Sequence, residues 1–144
     1  MNEIPGNSPN ALCHLRIARP TADLQLAERF WVGGVGMEVL WRTPDNLDHG
    51  HQLLMVGWRA ATWHIELVCD KAFAAVNSPS EEDLLVVYLA APIDSVTALR
   101  IAECGGVRTA SRNPYWDEHG VTFTDPDGYR LVLTTRAWGA WASS

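Results

Sequence analysis

Two short segments hold the residues most able to do chemistry. "CHLRIAR" (13–19) carries His14 and Arg16, and "ATWHIELVC" (61–69) carries His64 and Glu66. Each pair is spaced two apart, and in a strand such neighbours share a face. An imidazole, a guanidinium and a carboxylate together could hold an anionic or carbonyl oxygen and accept a proton. A third segment, "NPYWDEHG" (113–120), offers Asn113, Tyr115 and Trp116, where an aromatic pair could stack on a planar ligand. The alternative there is a loop that covers the end of a β domain with its own aromatics. His49-Gly50-His51 could clip a metal, but in a polar connection the two histidines read more simply as solvated. His119, beside Asp117 and Glu118, reads as a rim residue.

Other chemistries find no footing. There is no Ser-His-Asp or Cys-His order with a nucleophile elbow. Cys13, Cys69 and Cys104 are far apart and lack C-x-x-C spacing, so neither a disulfide framework nor a zinc knuckle is indicated. Reduced thiols in a cytoplasmic protein are expected. With 144 residues, 47% of them hydrophobic, the chain suits one domain with a sizeable core. A net charge of −6 without a basic stripe argues against nucleic acid as a partner. No apolar run approaches the roughly 20 residues that span a bilayer, so no membrane partner is expected. The first residues lack the basic-then-apolar pattern of a signal peptide and read as a flexible tail over 1–11.

The elements that must position these groups repeat. A strand in 13–19 is followed by "TADLQLAERFWVGGVG", with Thr21 as candidate N-cap. Leu24, Ala27, Phe30 and Trp31 recur there at helical spacing, and Gly33, Gly34 and Gly36 follow as the stop. "MEVLWR", "HQLLMVGW" and "ATWHIELVC" then have strand composition. A polar linker over 71–82 leads to the strand "LLVVYLAAP" and the helix "IDSVTALRIAECGG". Ile93, Val96, Leu99 and Ile101 should form that helix's apolar side, before a Gly105-Gly106 stop. "VRTA", "HGVTFT" and "YRLVLTT" complete the second half, the last two flanking an Asp125-Pro126-Asp127-Gly128 turn. The reading is an α+β fold of two β-α-β-β-β modules, over 12–70 and 83–136, in a single domain over 12–136. A tail over 137–144 would use Trp138 and Trp141 to dock on a neighbouring subunit or to cover the core.

This order, with "RIARPTADLQLAERFW" and "FTDPDGYRLVL", resembles the vicinal oxygen chelate superfamily of glyoxalases, extradiol dioxygenases and bleomycin-resistance proteins. "RIARPT" with "NPYWDEHGVTFTDPDGYR" is similar to a bacterial subgroup of it. The resemblance implies two curved half-barrels forming a cleft, often completed by a homodimer. It also implies one metal ligand, usually His or Glu, in the first and last strands of each module. Carried over, those positions are Arg16, Glu66, Leu85 and Val132, so one of four is a ligand. A guanidinium offers no lone pair. Its repulsion of a cation at about 4 Å is on the order of 4 kcal/mol per unit charge at an effective dielectric of 20. A divalent-metal cofactor is therefore disfavoured, although a shifted register would bring His14 beside His64 and Glu66 as an unusual metal site.

Taking Glu66 as inward by the family register, His14, Arg16, Ala18, His64 and Val68 share its cleft side, and Trp63 faces the helices. An Arg16–Glu66 ion pair with His64 beside it is expected in the metal's place, either as structure or as a working site. The first functional reading is small-molecule binding, of a partly aromatic or anionic ligand, through Arg16, His14, Asn113, Tyr115 and Trp116. The alternatives are a metal-independent lyase or isomerase using Glu66 and His64 for acid–base chemistry, and a divergent metal-dependent glyoxalase or dioxygenase.

Overall fold

A computed structural model describes residues 6–44, 51–70 and 78–139. The first module runs β1 (Leu15–Pro20), α1 (Leu24–Glu28), a π-helical turn (Arg29–Gly34), β2 (Glu38–Arg42), β3 (His51–Gly57) and β4 (Trp63–Asp70). The second runs β5 (Leu84–Tyr88), α2 (Ser95–Glu103), β6 (Val107–Thr109), α3 (Pro114–Glu118), β7 (Gly120–Thr124) and β8 (Arg130–Thr134). Each module makes a four-stranded sheet, in the orders β1-β4-β3-β2 and β5-β8-β7-β6. In both, the first strand pairs parallel with the last and the others pair antiparallel. The fold is α+β, and its two halves share one topology.

One face of each sheet is apolar and meets the helices. Leu54, Val56, Ile65 and Leu67 pack under Ala27, Phe30 and Trp31, while Phe123, Leu131 and Leu133 pack with Ile101. All belong to one continuous core, so the helices of the two modules meet at its centre. Their approach is close because Gly34 has no side chain: a Cβ there would lie 3.2 Å from the Ile101 Cα. Trp63 packs against this core, on the helix side.

The DPDG turn also ties the modules together. Ala22 N donates to Asp127 Oδ1 at 2.9 Å, and the Arg19 guanidinium lies 4.6 Å from the Tyr129 ring centroid. Asp125 beneath it is only 6% exposed, and its Oδ1 accepts from Asp127 N and Tyr129 N. Burial raises the Asp125 carboxyl to about 6, against those two bonds and the pull of Arg19.

Several sequence expectations change in detail. Asp23, not Thr21, caps α1, accepting from Gln25 N and Leu26 N. Thr21 is instead buried, its hydroxyl turned to the Asp23 backbone. Gly33 and Gly34 lie inside the π-helical turn rather than after it, and Gly36, at φ 92°, follows. On α2, Val96 and Leu99 are more than 60% exposed, whereas Ile101 is buried and Ala98 and Ile93 pack on the core. The contact with Gly34 turns the Ile101 side inward, which leaves the Val96–Leu99 stripe in water. The expected linker over 71–82 lies outside the described residues as far as residue 77, as do His49 and Trp141.

Candidate functional site

β1 and β4 run side by side with Arg16 opposite His64 and Ala18 opposite Glu66. Since Ile65 and Leu67 face the helices, His64 and Glu66 face the other way, onto the concave side of the first sheet. Arg16 Nη1 lies 3.1 Å from Glu66 Oε2, and Arg16 Nε donates to His64 Nε2 at 3.3 Å. His14 Nε2 and His64 Nδ1 are 2.6 Å apart. A guanidinium can only donate, so His64 Nε2 accepts and its proton sits on Nδ1, pointing to His14. In the chain Glu66–Arg16–His64–His14, donation thus runs outward from Arg16, to Glu66 on one side and through His64 to His14 on the other. Burial, His14 and Arg16 all push the His64 pKa below its usual value, more than Glu66 raises it. His64 is therefore a neutral imidazole at physiological pH.

Exposure differs along the chain. The Arg16 side chain is 54% exposed, while that of Glu66 is 13% and His64 as a residue is 8%. The outer groups hold the guanidinium in one orientation and leave its outer edge to solvent. An ion pair this exposed stabilises the fold by about 1 kcal/mol or less, so orientation is its main consequence.

The aromatic group is built differently. Residues 114–118, expected as an irregular segment, form the short helix α3, with Pro114 in its first turn. Asn113 is its N-cap, and its Oδ1 accepts from Tyr115 N at 3.1 Å. Asp117 takes up the Ser111 backbone N–H at 3.0 Å and fixes the loop before the helix. Trp116 meets Tyr88 edge-on at 6.2 Å, Trp138 meets the same ring at 5.4 Å, and Tyr115 packs on His119 at 4.7 Å. His119 is one-third exposed, and its carbonyl accepts from the Thr134 hydroxyl. Tyr88 pairs with Thr134, on the face opposite Leu131 and Leu133. These aromatics therefore sit on the concave side of the second sheet, over the buried Thr122, Val132 and Thr134.

Among the described residues, no hydrogen bond, ion pair or ring contact joins Tyr115 or Trp116 to Arg16 or His64. Arg16 and His64 stand on the first sheet and Tyr88, under Trp116, on the second, each on the face turned away from the common core.

The metal question can be tested on the donors. Leu85 pairs with Leu131 and packs on the core, so it faces the helices; Val86, opposite Val132, holds the concave position. The sequence register in β5 was wrong by one residue. Either residue is apolar, and so is Val132. His14, His64 and Glu66 do not make a substitute, because His64 turns one nitrogen to His14 and the other to Arg16. Among the described residues no cluster of three His, Cys, Asp or Glu side chains could hold an ion.

The architecture places the protein in the vicinal oxygen chelate superfamily, with the glyoxalase/bleomycin-resistance fold. FosX, a fosfomycin resistance protein from Mesorhizobium loti, superposes with a TM-score of 0.64 over 99% of this chain and 100% of its own, at 14% identity, a likeness of fold alone. TnmS3, an antibiotic binding protein from Streptomyces sp. CB03234, gives 0.55 over 90% of this chain and 100% of its own, at 25% identity.

The chain belongs to the YycE-like family. The YycE-like N-terminal domain model matches residues 15–68 and the YycE-like C-terminal domain model residues 82–135. The YycE protein of Bacillus subtilis (strain 168) is 32% identical over 121 residues, 83% of this chain and 85% of its own. A crystal structure of YycE from Bacillus subtilis, of unknown function, gives a TM-score of 0.73 at 28% identity, over 88% of this chain and 91% of its own.

Proposed function

We propose that the protein binds a small, partly aromatic or anionic molecule on the concave face of the first sheet, with Arg16 as its recognition cation. The observation that carries this reading is a half-exposed guanidinium held at 3.1 Å by Glu66 and 3.3 Å by His64. A carboxylate or carbonyl ligand would meet donors that are already oriented, which lowers the ordering cost of binding. The likeness to an antibiotic binding protein supports a binding role over turnover. Calorimetric titration with simple aryl carboxylates tests it: Arg16→Met should cost tenfold or more in affinity, and equal affinity would sink the reading.

The acid–base alternative rests on the neutral His64 and its 2.6 Å contact with His14. A ligand that drew Arg16 away would free His64 Nε2 to take a proton, with Glu66 beside it. In that case Glu66→Gln should abolish turnover; an unaffected rate would remove Glu66 from the mechanism.

The second wall of such a site comes, in this reading, from a homodimer that sets the Trp116–Tyr88 face of one copy against the Arg16 face of the other. The edge strand β1 would flank that contact, with Leu15 and Ile17 on its helix side at 61% and 40% exposure. A long exposed apolar edge is a surface that natural proteins usually cover. Light scattering should give a dimer that Ile17→Glu weakens. Cys13, Cys69 and Cys104 are free thiols, which fits a reducing, cytoplasmic setting. No helix among the described residues is long and apolar enough to cross a membrane.

A further inference from the structure

A cavity lies on the helix side of the fold, between the modules. Val35 after the π-helical turn, Trp58 in the β3–β4 connection, Val87 and Leu133 of the second sheet, and Ile101 of α2 line about 260 Å³ of space. Its surface is almost wholly apolar. The polar residues that line it are Thr97 of α2 and Asp94, an exposed residue at the start of that helix and the charged one of the lining. Asp94 Oδ1 caps the helix through Val96 N, and the cavity's outer lip is the segment 91–94 that leads into it. That segment is held in place: Ala90, at φ 54°, donates its N–H to the Arg136 carbonyl. An apolar cavity of about 150 Å³ already takes up benzene, so the space here suits a one- or two-ring aromatic.

We infer that this cavity is a ligand site distinct from the concave face, and that it takes a small aromatic amine. The ring would lie against Trp58, Val87 and Ile101, and the ammonium would reach Asp94. Trp58 already meets Trp63 edge-on at 5.9 Å, so a further ring continues an aromatic stack. One carboxylate in an otherwise uncharged lining selects for a cation and against an anion.

Tryptamine, indole and indole-3-acetate share a ring system and differ in charge, and they are the probes. Binding is followed by amide, methyl and indole N–H shifts in the intact protein at low salt. Tryptamine should move the signals of Trp58, Val87 and Ile101 and bind about three- to fivefold tighter than indole, with indole-3-acetate weaker than both. Asp94→Asn keeps a good helix cap, so it should remove the preference for tryptamine while leaving the affinity for indole unchanged. Thr97→Phe, which fills the cavity, should abolish binding of all three. Should that variant fail to fold, Asp94→Asn still decides the matter. The inference is overturned if none of the probes shifts these residues, if the shifts centre on Trp116 or His64, or if Asp94→Asn keeps the tryptamine preference.

Discussion

The two sheets have the same strand order, the same pairing and a shared core, yet their concave faces have opposite characters. In the first, the row Arg16–His64 and its neighbour Glu66 are polar, and Arg16 is open to solvent. In the second, Val86–Val132 and Tyr88–Thr134 occupy corresponding rows, and Val132 and Thr134 are wholly buried. In the second module one connection covers this face. Between β6 and β7 the chain forms α3, capped by Asn113 and stapled by Asp117, and its aromatics close the face. The β2–β3 connection of the first half contains residues 45–50, outside the described part of the chain. A repeated module thus keeps its helix side fixed, because the core depends on it, while the opposite face is polar and open in one copy and packed in the other.

Substitutions at four positions would break or sharpen this contrast. The largest effect is expected at Gly120, where α3 gives way to β7: a Cβ there would stand 2.2 Å from the Leu133 carbonyl oxygen. Gly120→Ala should cost about 3 kcal/mol or more, since the clash is with backbone that cannot turn aside. Chemical denaturation measures it, and a cost below 1 kcal/mol would mean that the second face is looser than described.

The next effect separates the halves by pH. Asp125 holds its proton up to about 6, so the folded state binds more protons than the unfolded chain. Its contribution to stability is present below the unfolded carboxyl value and is lost as pH rises to about 6, a change of about 3 kcal/mol at most. His64 works the other way. Its pKa is lowered on folding, so its neutral form is fully tolerated above the unfolded value, and stability falls as pH drops below it. Relative to wild type, Asp125→Asn should therefore gain stability between pH 4 and pH 6.5. His64→Gln should gain it only as the medium becomes acidic. Thermal melts across that range would show the two slopes, and slopes of one sign would contradict the assignment.

The smallest is Asn113→Ala, which removes the α3 cap and should cost about 1 kcal/mol, with Asn113→Asp retaining most of it. A greater loss of order at Trp116 than at Trp58, seen in the indole N–H signals, would confirm that the cap holds the second face closed.

Much of this was legible in the sequence, for identifiable reasons. Ala27, Phe30 and Trp31 lie on one helical stripe and are all buried. "WHIELVC" alternates cleanly, so the inward side of His64 and Glu66 could be read from parity once one residue was placed. "LLVVYL" has no alternation, and without it Leu85 and Val86 were interchangeable; a one-residue slip then reverses the face. α3 was missed because five residues are too few for a periodic pattern, although Asn113 followed by Pro114 is the start signal of a short helix. The buried Asp125 and its neighbour Arg19 left no local trace, since a DPDG turn reads as exposed until another module packs on it. That the aromatics and the charged groups lie on separate faces depends on how the modules meet, which no stretch of sequence states.

The central claim is that Arg16, positioned by Glu66 and His64, makes the first concave face the recognition surface. Its most direct measurement is calorimetric titration of the wild-type protein, Arg16→Met and Trp58→Phe with the same aryl carboxylate series. The account predicts that Arg16→Met loses at least tenfold in affinity while Trp58→Phe keeps it. Retained binding in Arg16→Met would contradict the account and move the ligand elsewhere on the molecule.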